Sequence, residues 1–192
     1  MLMRRCIRSV ERVGLTLDLV PFPGVEKAAA IKLAMASNLS IGFDYVEYRD
    51  YRPLSEGQIA CFLSHRYLWK ICVELWQPIM ILEHDAVFNG KLGRLSFTSV
   101  LNLQRTIWDD TNWKYYWKLR ALEDKIKKNG NAKYVCLPGS SAYCIAPIAA
   151  ERLLQEDKML PVDLFVNKGV VRIDDHINIS QIYVTNDYRS LF

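Results

Sequence analysis

The chain has 192 residues, 51% of them hydrophobic, which suffices for one sizeable core but would leave two independent domains marginal. We therefore predict a single domain over residues 1–192. Charged residues make up 24% and aromatic residues 11% of the chain, which excludes a disordered or fibrous protein. The formal net charge is +4 and the basic residues are dispersed, so no nucleic-acid partner is indicated, whereas a phosphorylated ligand or an anionic membrane surface is compatible.

The cysteines and the apolar runs bear on location. Five cysteines, an odd number without a Cys-x-x-Cys pair, predict free thiols in a reducing compartment. No run approaches the roughly 18 to 20 apolar residues of a membrane-spanning helix. The basic start of the chain is not followed by the apolar core of a secretory signal. These features predict a cytoplasmic protein, and the small positive charge leaves peripheral association at the inner face of a membrane open.

The first fifty residues contain signals for two helices and two strands. Apolar residues three apart predict a helix over residues 3–13 that ends at Gly14. Residues 15–22 are typical of a strand closed by prolines. An Ala- and Lys-rich stretch predicts a second helix over residues 26–37, and residues 45–48 favour a short strand.

A capping box is the strongest local signal. Ser55 is followed three residues later by Gln58, just before an apolar run, so a helix is predicted to begin here. At 100° per residue, Phe62 and Trp69 share one side of this helix, and His65 falls between two apolar stripes. Such a helix is apolar on most of its circumference and should be buried.

The second half of the chain alternates strands with helices. Residues 79–82 are uninterruptedly apolar, as in a parallel strand covered on both faces. Further strands are predicted at residues 134–137 and 142–146, and a helix at 148–154. The polar, aromatic-rich residues 96–130 are interpreted as a helical insertion beside the site. The predicted fold class is α/β.

Two carboxylates follow the strand at residues 79–82. Ligands of open α/β sheets bind beyond the carboxyl ends of the strands, where Glu83 and Asp85 are predicted to lie. Two such carboxylates can share Mg²⁺ or Mn²⁺, which would bridge the phosphates of a nucleotide-sugar and offset the charge of the leaving diphosphate. Judged by spacing alone, the simpler interpretation of two solvated acids at a strand end is favoured.

Other polar residues have equally open interpretations. His84 is either a metal ligand or a hydrogen-bonded residue of a turn, and His65 is either a donor contact or a buried neutral imidazole. Residues 139–141 either bring backbone amides to a ligand or form an ordinary turn. Asp163 and residues 174–176 are candidates for a general base or further metal ligands, or for a helix cap and an exposed turn.

Several short motifs follow one another in the chain: residues 54–65 (LSEGQIACFLSH), 68–69 (LW), 81–85 (ILEHD), 139–145 (GSSAYCI) and 161–163 (PVD). Their joint order over about residues 50–165 is far more specific than any one of them. Taken together, these motifs are similar to those of glycosyltransferase family 25, the lipooligosaccharide galactosyltransferase family.

The resemblance implies a GT-A type fold with a Rossmann-like sheet flanked by helices. It also implies a UDP-sugar donor, commonly UDP-galactose, a divalent cation such as Mn²⁺ or Mg²⁺, a glycan acceptor such as lipopolysaccharide core, and inversion at the anomeric carbon. The family pattern assigns the cation and diphosphate to Glu83 and Asp85, the donor pocket to Ser64 and His65, and the sugar site to Gly139, Ser140 and Tyr143. A carboxylate is expected to take the acceptor proton, and we choose Asp163 as this general base.

The sequence departs from the family pattern in two respects. His84 replaces the middle acid of the usual Glu-Asp-Asp motif, which removes one negative charge. The strand that usually opens the family's fold has no match before Arg4, so either the true start lies upstream or the protein is a shortened form with impaired nucleotide binding. An alternative is therefore a catalytically impaired domain that binds a sugar nucleotide. A third hypothesis combines residues 83–85 with Asp175 and His176 in a metal hydrolase centre. The sequence leaves linkage and oligomeric state open.

Overall fold

The computed structural model describes residues 2–41, 43–47, 50–88, 90, 92–103, 137, 140–167 and 169–175. The helices are α1 (Leu2–Arg12), α2 (Lys27–Ala36), α3 (Glu56–Leu75), α4 (Pro147–Gln155) and the short α5 (Val162–Phe165). The strands are β1 (Ser40–Ile41), β2 (Phe43–Glu47), β3 (Asp50–Pro53), β4 (Ile79–Leu82), β5 (Val100–Asn102), β6 (Ala142–Ile145), β7 (Lys158–Met159) and β8 (Ile173–Asp175). The mixture of helices and strands confirms the α/β class.

The largest sheet has four strands in the order β4-β6-β5-β8. Strand β6 runs antiparallel to both β4 and β5, with Ile81 opposite Tyr143 and Leu101 opposite Cys144. Strand β8 is parallel to β5. The prediction that residues 79–82 form a central strand of a parallel sheet is therefore wrong for the described part of the sheet. An apolar run shows that both faces are covered, but it carries no information on the direction of the neighbouring strands.

Both faces of this sheet are covered, as the run at β4 predicted. Alternate residues point to opposite faces: Ile81 and Tyr143 join the core formed with α2, α3 and α4, whereas Ala142 and Cys144 join a second core on the other side. Residues of α1 pack in that second core. The result is a sheet between two layers, with α3 buried on the side that carries the functional residues.

Two small pairings complete the described strands. Strands β2 and β3 form an antiparallel pair with a register shift between Tyr45 and Glu47, which agrees with the strand predicted near residue 45. Strands β1 and β7 form a short parallel pair with Ser40 opposite Lys158.

The N-terminal predictions are confirmed for the helices and wrong for the strand. Helix α1 ends before Gly14, whose φ of +67° is the left-handed conformation that glycine adopts without strain. Residues 15–22 have no regular secondary structure. They alternate between partly buried and exposed side chains, and Leu15, Leu17 and Leu19 pack on the second core. A segment becomes a strand only when a neighbour completes its hydrogen bonds, and no described strand pairs with residues 15–22.

The segment predicted as a helical insertion begins differently from the prediction. Val100–Asn102 form strand β5 within the four-stranded sheet, so a helix does not begin at residue 96. Residues 104–130 of the predicted insertion lie outside the described residues, as does most of the strand predicted at 134–137. Within the described part of the chain, no helix is both long enough and apolar enough to cross a membrane.

Helix α3 begins with the predicted capping box. The Ser55 hydroxyl accepts a hydrogen bond from the Gln58 amide at 3.3 Å, and the Gln58 side chain accepts one from the Ser55 amide at 2.9 Å. Replacing Ser55 by Ala should lower the free energy of unfolding by about 1 kcal/mol, because the Gln58 amide at the helix start loses its hydrogen-bond acceptor. Urea denaturation measures this loss. Ser96→Ala, on an exposed residue, is the matched control and should leave stability unchanged.

Candidate functional site

The site lies where β4 ends and β6 begins. The Glu83 amide donates a hydrogen bond to the Ser141 carbonyl at 2.8 Å, and the Ala86 amide donates to the Glu83 carbonyl at 3.0 Å. The first bond continues the pairing of β4 with β6, and the second closes a turn directly after the strand. The backbone of Glu83 is thereby fixed against the segment that carries Ser140.

The Glu83 carboxylate receives three polar side chains. Ser140 Oγ lies 2.8 Å from Oε1, His65 Nε2 lies 3.3 Å from it, and Cys61 Sγ lies 3.9 Å from it. All three contacts converge on the same oxygen. The Glu83 side chain is 23% exposed. It is therefore held by these polar contacts on its buried side and remains partly accessible to solvent.

Helix α3 contributes three side chains to the inner side of the site, from residues that are four positions apart. Cys61, His65 and Trp69 follow the i, i+4, i+8 spacing that places side chains along one stripe of a helix. His65 Nδ1 lies 2.8 Å from the hydroxyl of Tyr143, and Trp69 Nε1 donates a hydrogen bond to that hydroxyl at 2.9 Å. Trp69 and Tyr143 are both fully buried, so the hydrogen bond between them lies in the core.

The electrostatics of the site favour negative charge at Glu83. Burial by itself raises the pKa of Glu83, but the hydrogen bond and electrostatic attraction from His65, the hydrogen bond from Ser140 and the attraction to His84 together outweigh it and lower the pKa. Burial is also the main reason why the pKa of the Cys61 thiol is strongly raised, and the carboxylates of Glu83, Asp163 and Asp85 add to the shift.

One set of described residues could hold a metal ion. Donor atoms of Cys61, His65 and Glu83 all lie within 4.8 Å of one another, a thiol-imidazole-carboxylate set of the kind that suits Zn²⁺. Asp85 and Asp163 do not belong to this group among the described residues. Carboxylate oxygens are the ligands that Mg²⁺ and Mn²⁺ prefer, and Glu83 supplies one such carboxylate at the site.

Ser64 has contacts that point elsewhere. Its hydroxyl donates to the Ala60 carbonyl at 2.7 Å and accepts from the Val25 amide at 2.8 Å. A Cβ on the neighbouring Gly24 would lie 3.3 Å from the Ser64 hydroxyl, so the backbone of this segment passes close to α3. In these contacts Ser64 ties the segment before α2 to α3.

The remaining predicted residues are spread over several elements. His84 is exposed in the turn after β4, and Asp163 is half-buried in α5. Asp174 pairs with the exposed Arg172 at 2.8 Å rather than with the Glu83 cluster. Gly139 and His176 lie outside the described residues, and only the backbone of Asp175 is described. Tyr143 is fully buried, so its hydroxyl reaches the site through His65 instead of lining an open pocket.

Sequence reasoning missed two members of the site. Cys61 was predicted to be a free thiol and is half-buried, whereas Trp69 was placed on one side of a buried helix and is fully buried; neither prediction included their polar contacts. Cys61, His65 and Trp69 follow one another at intervals of four residues along one helix. This spacing is the signal that could have linked Cys61 and Trp69 to His65. The partner of Trp69 is 74 residues away in sequence, which no local pattern shows.

Comparison with known proteins follows the same motifs. A model of the family described as glycosyltransferase family 25 (LPS biosynthesis protein) matches residues 30–166. A glycosyltransferase 25 family member of Anopheles gambiae is 30% identical over 174 residues, which cover 85% of this chain and 28% of that protein. Procollagen galactosyltransferase 2 of Mus musculus is 28% identical over 133 residues, which cover 62% of this chain and 21% of that protein.

The chain therefore spans less than a third of the length of these curated relatives. No solved structure matches it significantly. The family model, however, covers well over half of the chain, including α3, β4 and β6 with all the residues around Glu83. The chain belongs to glycosyltransferase family 25.

Proposed function

We propose that this chain transfers a sugar from a nucleotide-sugar donor to a hydroxyl group of a glycan acceptor. The observation that supports the proposal most directly is the position of Glu83: a carboxylate of lowered pKa, held at the end of a sheet strand and still partly exposed. The backbone of Glu83 is fixed at this strand end by its hydrogen bond to the Ser141 carbonyl. Family membership adds the class of reaction.

The donor in this proposal is a UDP-sugar, with galactose as the transferred group. The mouse relative is named as a galactosyltransferase, which is why UDP-galactose leads the panel of donors to test. The description of the family names LPS biosynthesis, and the name of the mouse relative contains procollagen, so both kinds of acceptor belong in the test.

In the proposed mechanism Glu83 and Asp85 hold Mn²⁺ or Mg²⁺, and the bound cation supplies positive charge against the diphosphate. Ser140 and His65 keep the Glu83 carboxylate oriented through its Oε1 atom. Asp163 is the proposed general base that takes the proton from the acceptor hydroxyl, a role that contributes about 10²- to 10⁴-fold. A single in-line attack inverts the anomeric carbon.

Release of UDP tests this proposal. The 192-residue chain is incubated with a panel of UDP-sugars, Mn²⁺ and acceptors, and UDP is quantified. We expect release that is greatest with UDP-galactose and is lost in Asp85→Ala. Asp18→Ala is the matched control, because Asp18 is an exposed carboxylate in the segment before α2. Equal losses in both variants, or no release from any donor, would contradict the proposal.

His84 supports a second candidate function. It occupies the place of an acid in the family motif and is exposed in the turn between Glu83 and Asp85. With one carboxylate fewer, the site would bind a cation less tightly and turn over slowly or not at all. Saturable binding of UDP-sugars without release of UDP would support a catalytically impaired sugar-nucleotide-binding domain.

A further inference from the structure

We propose that Tyr143 and Trp69 are positioning residues that hold His65 with its proton on Nε2, so that His65 fixes the inner oxygen of the Glu83 carboxylate. The catalytic consequence of this arrangement rests on the proposed function, whereas the arrangement of protons does not. The four residues come from α3, β6 and the end of β4, and their polar atoms form one continuous series of contacts from the core to the site.

The direction of the series follows from Trp69. An indole N–H can only donate, so the Tyr143 oxygen accepts the hydrogen bond from Trp69 at 2.9 Å. Burial holds the pKa of Tyr143 well above its usual value, so the hydroxyl keeps its proton. Among the residues that the structure describes, the second partner of this hydroxyl is Nδ1 of His65 at 2.8 Å.

That proton determines the tautomer of His65. Tyr143 has no exposed surface, and a buried O–H without an acceptor loses its hydration without compensation. The hydroxyl therefore donates to Nδ1, which must lack a proton. A neutral imidazole then carries its proton on Nε2, the atom that lies 3.3 Å from Glu83 Oε1.

The packing of the rings keeps this geometry fixed. The rings of His65 and Tyr143 stack with centroids 5.7 Å apart and an angle of 13° between their planes. Trp69 stacks in turn on Phe165, with centroids 5.5 Å apart and an angle of 11°. Rotation of the imidazole would disrupt both the stacking and the two hydrogen bonds.

Two consequences follow for Glu83. Its Oε1 atom accepts from both His65 and Ser140, and none of its contacts in the described part of the chain reaches Oε2. These contacts hold the carboxylate through Oε1. In this tautomer Nε2 carries a proton, so Cys61, His65 and Glu83 are joined by hydrogen bonds, and a metal ion could bind Nε2 only by displacing that proton.

Nuclear magnetic resonance of the histidine side chains tests the arrangement directly. The chain has three histidines, and the imidazole ¹⁵N signals of His65 are assigned with His84→Gln and His176→Gln. We expect an unprotonated Nδ1 and a slowly exchanging proton on Nε2. A proton on Nδ1 alone would overturn the proposal.

Tyr143→Phe tests the positioning role, because it keeps the ring and removes only the hydroxyl. We expect the Nε2 proton of His65 to exchange faster with solvent, and kcat for UDP release to fall about 10-fold while the KM for the donor stays the same. Ile145→Val, in the same strand and equally buried, is the control for lost stability and should leave both readouts unchanged. Proton exchange that Tyr143→Phe leaves unchanged, or that Ile145→Val accelerates equally, would overturn the positioning role.

The experiment separates the two proposals. If the wild-type chain releases no UDP from any donor, the proposed function is wrong, while the Nε2 proton and its response to Tyr143→Phe still decide whether Tyr143 and Trp69 position His65. If the wild type releases UDP but its Nδ1 is protonated in place of Nε2, the proposed function stands and the positioning inference fails.

Discussion

Replacing Glu83 by Gln is expected to lower kcat for UDP release by about 10²- to 10³-fold, because a preorganised charge at the reacting centre is lost. The amide oxygen of Gln can still accept from Ser140 and His65, so the local hydrogen bonds that hold the side chain persist. The negative charge that would hold the cation does not. Steady-state UDP release and circular dichroism together separate loss of activity from loss of fold.

The control for this variant is Glu74→Gln, which makes the same chemical change on an exposed residue near the end of α3. We expect it to keep wild-type kcat and stability. If Glu83→Gln retained full activity with an intact fold, Glu83 would not hold the cation, and the proposed mechanism would have to use other acids.

Replacing Trp69 by Ala is expected to lower the free energy of unfolding by about 3–5 kcal/mol, the cost of removing a large aromatic side chain from a packed core. Trp69 is fully buried, stacks on Phe165, and meets Phe62 edge to face with centroids 6.0 Å apart. The change also removes the hydrogen bond that Tyr143 accepts. Equilibrium unfolding in urea, followed by circular dichroism, measures the loss.

Trp76→Ala provides the comparison, at the residue that follows the same helix. Trp76 is the residue after α3 and 58% exposed, so its removal should change the free energy of unfolding by no more than about 0.5 kcal/mol. Its left-handed backbone, with φ of 50°, costs about the same for Ala as for Trp and does not bias the comparison. Equal losses in the two variants would show that Trp69 is not the packing centre that its burial indicates.

The sequence by itself determined the elements with strong local signals. Ser55 and Gln58 predicted the start of α3 because a capping box involves neighbouring residues only. The apolar run at β4, followed at once by polar residues, predicted a covered strand that ends at the site. The order of the short motifs predicted the family, because many weak patterns in one sequence are jointly specific.

Only the tertiary structure decided which elements are neighbours. Residues 15–22 were predicted to form a strand but have no regular secondary structure. Val100–Asn102, in contrast, form a strand within a segment whose composition favoured a helix. The partners of β4 and β5 lie far along the chain, and local propensity is a weak guide when distant pairing supplies the hydrogen bonds.

The candidate site also combines residues that the sequence indicated with contacts that only the tertiary structure decided. Glu83 and His65 were candidates from the sequence, but the sequence left open whether each was functional or merely structural. The fold joins them, and it brings the hydroxyl of Tyr143 from 78 residues away to the far side of the imidazole. Hydrogen bonds act over about 3 Å in space regardless of separation along the chain, so the orientation of Glu83 became visible only once α3 and β6 were packed together.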